Sequence, residues 1–421
     1  MHRSSALWGY TTSFRLPNKS PSPALLVLIA LLIGSIVRQV AAAASWGHGS
    51  FEMTEWLINY SGGFVRRGLP GTLIGILSET TGLRANLIVI ITSIACYLTL
   101  AAWLLRRATA YCPPALILSC VVMGIPAYQD SLVRKDCLGL LFLLACVSLG
   151  GWRGPKLLVI GGLNLIAAAA LLCHETFAFY GLAAYVFLRD PSGREPWLAQ
   201  VVGRAASLIP AGLCFLLTVI YHGTPAQAVA VNNSWIPLWD AINPANSGHS
   251  EPAATIAALA WTTTEGLSLS LHMLTSGFYQ PLAWAVVFLI SFLLLVLFAG
   301  RGSGQAPGET MQVRIRFVAI LLCQLAFISP LFLLGVDYGR WLFFWVVSSM
   351  ILHVAGRRAP AFAEVGVGWL FTRPRIAWLL RRFPAREWYL LVFGVPVCWN
   401  LRNFLAASPA GRHLEIILSW L

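Results

Sequence analysis

Residues 23–44, PALLVLIALLIGSIVRQVAAAA, hold one ionisable side chain, Arg38, in twenty-two positions. A helix needs about 20 apolar residues to cross the hydrocarbon of a bilayer. Backbone groups in lipid must be satisfied within the segment, so this run reads as a spanning helix. The apolar stretch followed by AAAAS also suits a cleaved leader. Arg38 between the two, and the long polar region ahead, favour an uncleaved span. Cleavage would leave the rest of the topology unchanged.

Similar runs recur along the chain: 86–105, 113–129, 137–152, 157–174, 176–188, 205–221, 281–299, 317–335, 341–355 and 387–403, eleven in all. The expected fold is an all-α polytopic membrane bundle, one transmembrane domain over 1–421 with about eleven helices. Composition agrees. Of 421 residues, 58% are hydrophobic and 11% charged, against roughly 25% charged in soluble domains. So little charge cannot cover a globule of this size, which excludes a soluble enzyme, a disordered chain and a disulfide-rich secreted domain.

Net charge is +13, from 29 Lys and Arg against 16 Asp and Glu. No RNP-like run appears, so nucleic acid is not an expected partner. The cations fit loops that face anionic lipids. With the N-terminus cytoplasmic, the inner segments hold 20 Lys and Arg and the outer ones eight. That bias sets the expected orientation. The inner segment 357–386 is basic and rich in Trp and Phe, and WLFTRPRIAWLLRRF suits a helix lying on anionic lipid. The nine cysteines lie mostly in apolar runs (Cys96, Cys120, Cys146, Cys173, Cys214, Cys323, Cys398) without a CxxC pair, and read as small buried hydrophobes.

Five outer loops result: 45–85, 129–136, 173–176, 222–280 and 335–340. Four place charge against apolar runs: Arg66 and Arg67; Arg134, Lys135 and Asp136; His174 and Glu175; Asp337 and Arg340. Charge near hydrocarbon is costly and usually pairs or faces a cavity. The expectation is one polar chamber at the outer face.

Within NYSGGFVRRGLPG, two arginines in a glycine-rich turn can grip phosphate bidentately or snorkel to headgroups. Arg134 or Lys135 can face an anion or cap locally, while Asp136 suits a helix N-terminus. His174 or Glu175 can take a proton from a hydroxyl, or form a structural pair. Asp337 can orient a catalytic group and Arg340 bind an anion, or the two can pair three residues apart. Glu52 and Glu55 are candidate bases or solvated loop acids. The long loop 222–280 lacks Lys and Arg but carries Trp235, Trp239 and Trp261 with several Asn, which suits carbohydrate contact or an interfacial lid. No HExxH, Walker A or GxSxG occurs, and no internal repeat is evident.

Many apolar helices, a long outer loop, and the runs NYSGGFVRRGL, VRKD, HE and DYGRW together resemble bacterial membrane proteins of surface-polysaccharide assembly. These include O-antigen and exopolysaccharide polymerases and GT-C-type polyprenyl-phosphate-sugar glycosyltransferases. The resemblance covers layout rather than an alignable motif set. It implies a multi-pass protein of a bacterial inner membrane that transfers sugar from a polyprenyl-(pyro)phosphate at the outer face. Arg66, Arg67, Arg134, Lys135 and Arg340 would bind substrate. His174, Glu175, Asp337 or Glu55 would serve catalysis. No metal or other cofactor is called for, because the lipid carrier supplies the activated sugar. Other glycan-assembly proteins would be partners. Two alternatives stay open: a transporter or flippase of an anionic or lipid-linked substrate, and a non-catalytic assembly protein.

Overall fold

A computed structural model of the chain describes residues 20–45, 51–129, 131–191, 195–238, 252–276, 281–302, 309–335, 337–395 and 408–418. Among them every regular element is helical, apart from an isolated antiparallel bridge between Arg189 and Arg358. In chain order the helices are α1 (Pro23–Ser45), α2 (Phe51–Thr54), α3 (Gly68–Thr81), α4 (Ala85–Ala108), α5 (Pro114–Leu118), α6 (Gly124–Tyr128), α7 (Asp136–Gly150) and α8 (Lys156–Cys173). A π-helical turn (Ala178–Leu182) leads into α9 (Ala183–Phe187). Then come α10 (Trp197–Ser207), α11 (Ile209–Ile220), α12 (Pro225–Trp235), α13 (Ala254–Ala257), α14 (Thr263–Thr275), α15 (Pro281–Phe298) and α16 (Glu309–Leu334). The last are α17 (Tyr338–Val354), α18 (Ala361–Phe371), α19 (Pro374–Arg382), α20 (Tyr389–Val392) and α21 (Pro409–Leu418).

The chain is therefore an all-α protein built for a membrane. Among the described residues four helices, α1, α4, α8 and α16, are long and apolar enough to cross one, and α10 with α11 makes a fifth if that pair, bent by 61°, is a single span. Asp136–Gly150, Ala178–Phe187, Leu282–Phe298 and Ala361–Phe371 are shorter apolar helices. Among the described residues four or five helices are long enough to span, and the runs 137–152, 176–188 and 281–299 correspond to shorter apolar helices. Two runs differ outright. Run 387–403 is helical over Tyr389–Val392, and its residues 396–403 lie outside the described ones. Run 113–129 is not one helix.

That second departure has a physical cause. Pro113, Pro114 and Pro126 each remove a backbone donor, and Ser119 and Gly124 favour turns. The segment folds as α5, a turn and α6, with Ala115–Tyr128 buried throughout. Irregular backbone inside a membrane protein persists where neighbouring side chains satisfy it. Here Tyr97 Oη donates to the Met123 carbonyl (2.8 Å), and Gln39 Nε2 donates to the Pro126 (3.0 Å) and Ala127 carbonyls. Gln39 Oε1 also accepts from the Leu132 amide (3.0 Å).

α17 is the axis of the bundle. Every residue from Tyr338 to Leu352 is buried, the signature of a helix enclosed on all sides. Tyr180 stacks on Phe344 with centroids 4.3 Å apart. The Trp345 indole donates to the Leu321 carbonyl (2.7 Å). A π-turn releases backbone acceptors, and Gln324 of α16 donates to the Tyr180 carbonyl there (3.1 Å). Its amide is also 2.6 Å from Ser348 Oγ.

Loop ends that the sequence assigns to a common side meet in the structure. At one end the Gly300 amide donates to the Tyr111 carbonyl (2.7 Å), Arg314 Nε donates to the Ala299 carbonyl (2.9 Å), and Arg189 bridges Arg358. At the other, Lys135 Nζ donates to the Cys173 carbonyl (3.0 Å) and Arg134 pairs with Asp337. Part of the long loop folds over this second end. α12, α13 and the 3-10 turn Ala258–Ala260 after it pack Ala228, Val231, Ile256 and Leu259 against Ile58 and Val65 of the first loop. Residues 46–50, 130, 239–251, 277–280 and 336 of the outer loops lie outside the described residues.

α3 starts in close contact with the chain ahead of it. The Gly71 amide donates to the Ile58 carbonyl (3.1 Å). A Cβ at Gly71 would collide with that carbonyl, whereas one at Gly161 in α8 meets nothing within 4 Å. Gly71→Ala is expected to lower stability by about 2 kcal/mol or more and reduce membrane abundance. Gly161→Ala should leave abundance unchanged or raise it. Immunoblots of isolated membranes compare the two.

Candidate functional site: a buried charge chamber

Four helix termini converge at the end capped by α12 and α13. α7 begins at Asp136 and α17 follows its cap residue Asp337, so both present acids where a helix N-terminus favours them. α8 stops at Cys173 because His174 turns to an extended conformation, φ −164° and ψ 121°. Lys135 then donates to the last carbonyl of α8, where a cation is favoured. α3 begins just after Arg67.

Arg340 is the hub of the chamber floor. Its Nε lies 3.1 and 3.0 Å from the two Asp136 oxygens, and its Nη2 is 2.6 Å from Oδ1. Nη2 also reaches Glu55 Oε1 (3.2 Å), and Nη1 reaches Asp337 Oδ2 (3.0 Å). One guanidinium therefore serves three carboxylates from three separate stretches of chain. Glu55, Asp136, Lys135, His174 and Arg340 are all buried.

The rim is more open. Arg67 makes a bidentate pair with Glu175, Nε to Oε2 at 2.8 Å and Nη2 to Oε1. Arg66 Nη1 lies 3.8 Å from the same carboxylate, and its Nη2 donates to the Ala258 carbonyl (3.1 Å). Arg134 joins Asp337 (3.1 Å) to Glu52 (3.6 Å) and lies over the Phe51 ring. Side-chain exposure is 20% for Arg67, 22% for Arg66 and 36% for Asp337, so solvent and ligands reach this edge.

Arg67 is the one non-glycine residue with positive φ (63°) among the described residues. The left-handed region costs a side-chain-bearing residue about 1–2 kcal/mol. Such strain persists where the surroundings over-determine it, and it clusters at functional sites. Here the turn brings the guanidinium onto Glu175.

The Thr176 amide donates to His174 Nδ1 (3.3 Å), so Nδ1 is the unprotonated nitrogen and Nε2 bears the hydrogen of the neutral ring. His174 Nε2 sits 3.0 Å from Glu55 Oε1 but off the line of a hydrogen bond. Among the described residues, Nε2 and Glu55 Oε2 are buried polar atoms without a hydrogen-bond partner.

Burial resists charge throughout the chamber, and neighbours decide which groups keep it. It pushes His174 down to about 4, with Arg67 adding to the effect. It takes Lys135 down to about 8 against the pull of Glu55. For Glu55 burial acts against ionisation, but Arg340, the contact with His174 and Lys135 outweigh it and hold the carboxyl well below its usual range. Burial likewise opposes charge on Glu175, and Arg67 and the other neighbours overcome it.

All nine residues singled out from the sequence, Glu55, Arg66, Arg67, Arg134, Lys135, His174, Glu175, Asp337 and Arg340, thus belong to one connected cluster. The arginines differ from the expectation in one respect: each already holds a carboxylate. Two further members are Asp136 and Glu52. Asp136 was legible as a helix-start acid beside two cations, though not as the partner of Arg340. Trp235 is unavailable for carbohydrate contact, because it is buried with Nε1 donating to the Leu57 carbonyl (2.7 Å). Trp261 is exposed, and Trp239 lies outside the described residues. Among the described residues no three His, Cys, Asp or Glu side chains come together as a metal site requires. Comparison with protein-family models, curated proteins and solved structures finds no match to the chain.

Two outcomes follow from this geometry. Arg340→Ala strands two buried carboxylates and is expected to cost about 3–5 kcal/mol. Adding Asp136→Asn should recover part of that loss, with a coupling of about 1 kcal/mol or more in a double-mutant cycle of detergent-unfolding midpoints. The second concerns pH. An unfolded histidine takes up its proton near pH 6.5, folded His174 near pH 4. Between those values the unfolded chain holds the extra proton, so stability falls as pH falls through the window. The full interval corresponds to about 3 kcal/mol. His174→Gln should flatten the loss of thermal midpoint between pH 6.5 and 5.

Proposed function

We propose that the chain is a membrane glycosyltransferase or polysaccharide polymerase that uses a polyprenyl-(pyro)phosphate-linked sugar at the outer face of a bacterial inner membrane. The observation that carries this reading is the Glu55–His174 contact on the floor of a cationic-rimmed chamber. Glu55 stays ionised in a buried setting, and among the described residues its Oε2 has no hydrogen-bond partner; held so far down it is a weak base, so it takes a proton only as the acceptor's new bond forms. An acceptor hydroxyl that reaches Oε2 gives up its proton there as the oxygen attacks the anomeric carbon. The bond from that carbon to the phosphate oxygen breaks, and its electron pair stays on the departing lipid phosphate. Arg66 and Arg67 stand where that charge grows, and binding there requires them to share or release Glu175. Arg340 holds Glu55 in place, and the neutral His174 beside it does not itself accept the proton. The activated sugar comes with its carrier, so this scheme calls on no nucleotide and no metal.

A second reading has its own support. Among the described residues the chamber holds five carboxylates (Glu52, Glu55, Asp136, Glu175, Asp337) and five cations (Arg66, Arg67, Arg134, Lys135, Arg340). That balance also suits a non-catalytic assembly protein held together by ion pairs.

Glu55→Gln separates the two. Membranes carrying the full chain would be given labelled polyprenyl-phosphate hexoses, and transfer and abundance measured together. A transferase loses about 10²-fold or more of its rate with Glu55→Gln at unchanged abundance. No transfer by the parent chain, together with falling abundance in the variant, would sink the enzymatic reading.

A further inference from the structure

The opposite end of the bundle gathers arginines without matching acids. Arg189 and Arg358 face each other across the isolated bridge, the Arg189 amide donating to the Arg358 carbonyl (2.7 Å) and the Arg358 amide to that of Arg189 (3.0 Å). Residues directly opposite in an antiparallel bridge carry their side chains on one face, and like charges there repel. Arg204 and Arg357 add to the set, with guanidinium carbons 5.9 and 5.3 Å from the centroid of one ring, Tyr185. Arg204 is held by the Tyr185 (3.2 Å) and Leu188 carbonyls and by Gln200 Oε1 (2.9 Å).

The acids facing this group are few. Asp190 lies 3.5 Å from Arg357 Nη1, and Glu195, which is exposed, acts on Arg204 at longer range. Among the described residues, four cations therefore share one close carboxylate. Among the described residues Arg189 Nε and Arg357 Nη1 are buried and donate no hydrogen bond, Arg357 Nη1 having only its 3.5 Å ion pair with Asp190. Arg357 as a whole is buried. Guanidinium donors that are both crowded by like charge and unsatisfied favour an anion with several oxygens.

The flanks indicate the source of that anion. Trp197 of α10 meets Phe362 of α18 edge to face, centroids 6.0 Å apart. Around that junction Phe187, Leu198, Val202, Phe362 and Val365 are exposed. A free polyphosphate has no use for such a border, whereas a phospholipid has an acyl chain to lay along it. We infer that Arg189, Arg204, Arg357 and Arg358 form a binding site for the headgroup phosphate of an anionic phospholipid, with its chains on the exposed apolar faces of α10 and α18. The site is remote from the carboxylate-rich chamber and does not depend on what that chamber does.

The test uses the full chain in neutral detergent, with phosphatidylglycerol, phosphatidylcholine and inorganic phosphate as separate probes. Native mass spectrometry counts retained lipid, and thermal unfolding reads protection. Phosphatidylglycerol should be retained and raise the midpoint, with phosphatidylcholine and phosphate well behind. Arg189→Gln with Arg358→Gln should weaken phosphatidylglycerol retention about tenfold or more. Without lipid the same variant should be at least as stable as the parent, because it relieves an opposed pair of like charges. Arg189→Lys with Arg358→Lys, which keeps the charge, should retain more of the binding than the double Gln variant, and Arg373→Gln, in the turn just ahead of α19, should retain most of it. Equal protection by inorganic phosphate, or undiminished lipid retention in the double Gln variant, would overturn the assignment. If the double Gln variant does not fold, loss of phosphatidylglycerol in Arg373→Gln and its loss in the double Lys variant each overturn it as well.

Discussion

Everything in the carboxylate-rich chamber depends on keeping Arg340 charged where water barely reaches. A guanidinium does not lose its proton in proteins, so once buried it must be met by anions. Asp136, Glu55 and Asp337 meet it, from the start of α7, the first loop and the cap of α17. Those contacts fix the relative heights of three segments that are far apart in sequence. Glu55 in turn fixes His174, which ends α8 and leads into the π-turn. The cluster ties the fold together, and it also holds the groups that the proposed transfer would use. The two roles share the same atoms, which is why abundance has to be measured beside activity in every variant there.

Much of this was legible in the sequence, for a simple reason. Ionisable residues are rare in the apolar runs, so those at run boundaries stand out, and Arg67, Lys135, His174 and Arg340 could be named without coordinates. Convergence was legible too, since charge beside hydrocarbon needs company. The pairing was not. Nothing in VRKD says that Arg134 goes to Asp337 while Asp136 goes to Arg340. That choice is set by which side of each helix start faces the axis. A helix start also turns its residues by about 100° each, so neighbours diverge. The broken course of 113–129 was hidden differently. Hydropathy averages over a window and passes over Pro114, Ser119 and Gly124. The partners that make the break tolerable, Gln39 and Tyr97, sit in other helices.

The two ends of the bundle solve opposite electrostatic problems. In the chamber, like numbers of acids and cations are packed into a dry space, and each arginine finds a carboxylate. At the other end, Arg189, Arg204, Arg357 and Arg358 gather where, among the described residues, Asp190 paired with Arg357 is the one close carboxylate. A surplus of this kind is tolerable beside a membrane surface that supplies anions and unfavourable elsewhere. The contrast therefore carries information about surroundings that a count of Lys and Arg per loop gives only as a bias.

Arg67 shows how the balanced end could still do chemistry. A neutral set of ion pairs would be most stable with relaxed backbones, and a structural role alone gives no reason to hold a bulky residue at positive φ. Glycine at 67 would remove the strain but also the guanidinium. The strain is retained together with partial exposure of both Arg67 and Glu175. A pair that is strained, bidentate and open at its edge is easier to exchange than the enclosed Arg340–Asp136 pair. An incoming phosphate that takes the place of Glu175 would gain the same two donors and meet Arg66 beside them. The floor would then remain fixed while the rim changes partners, which is the division of labour a group-transfer site requires.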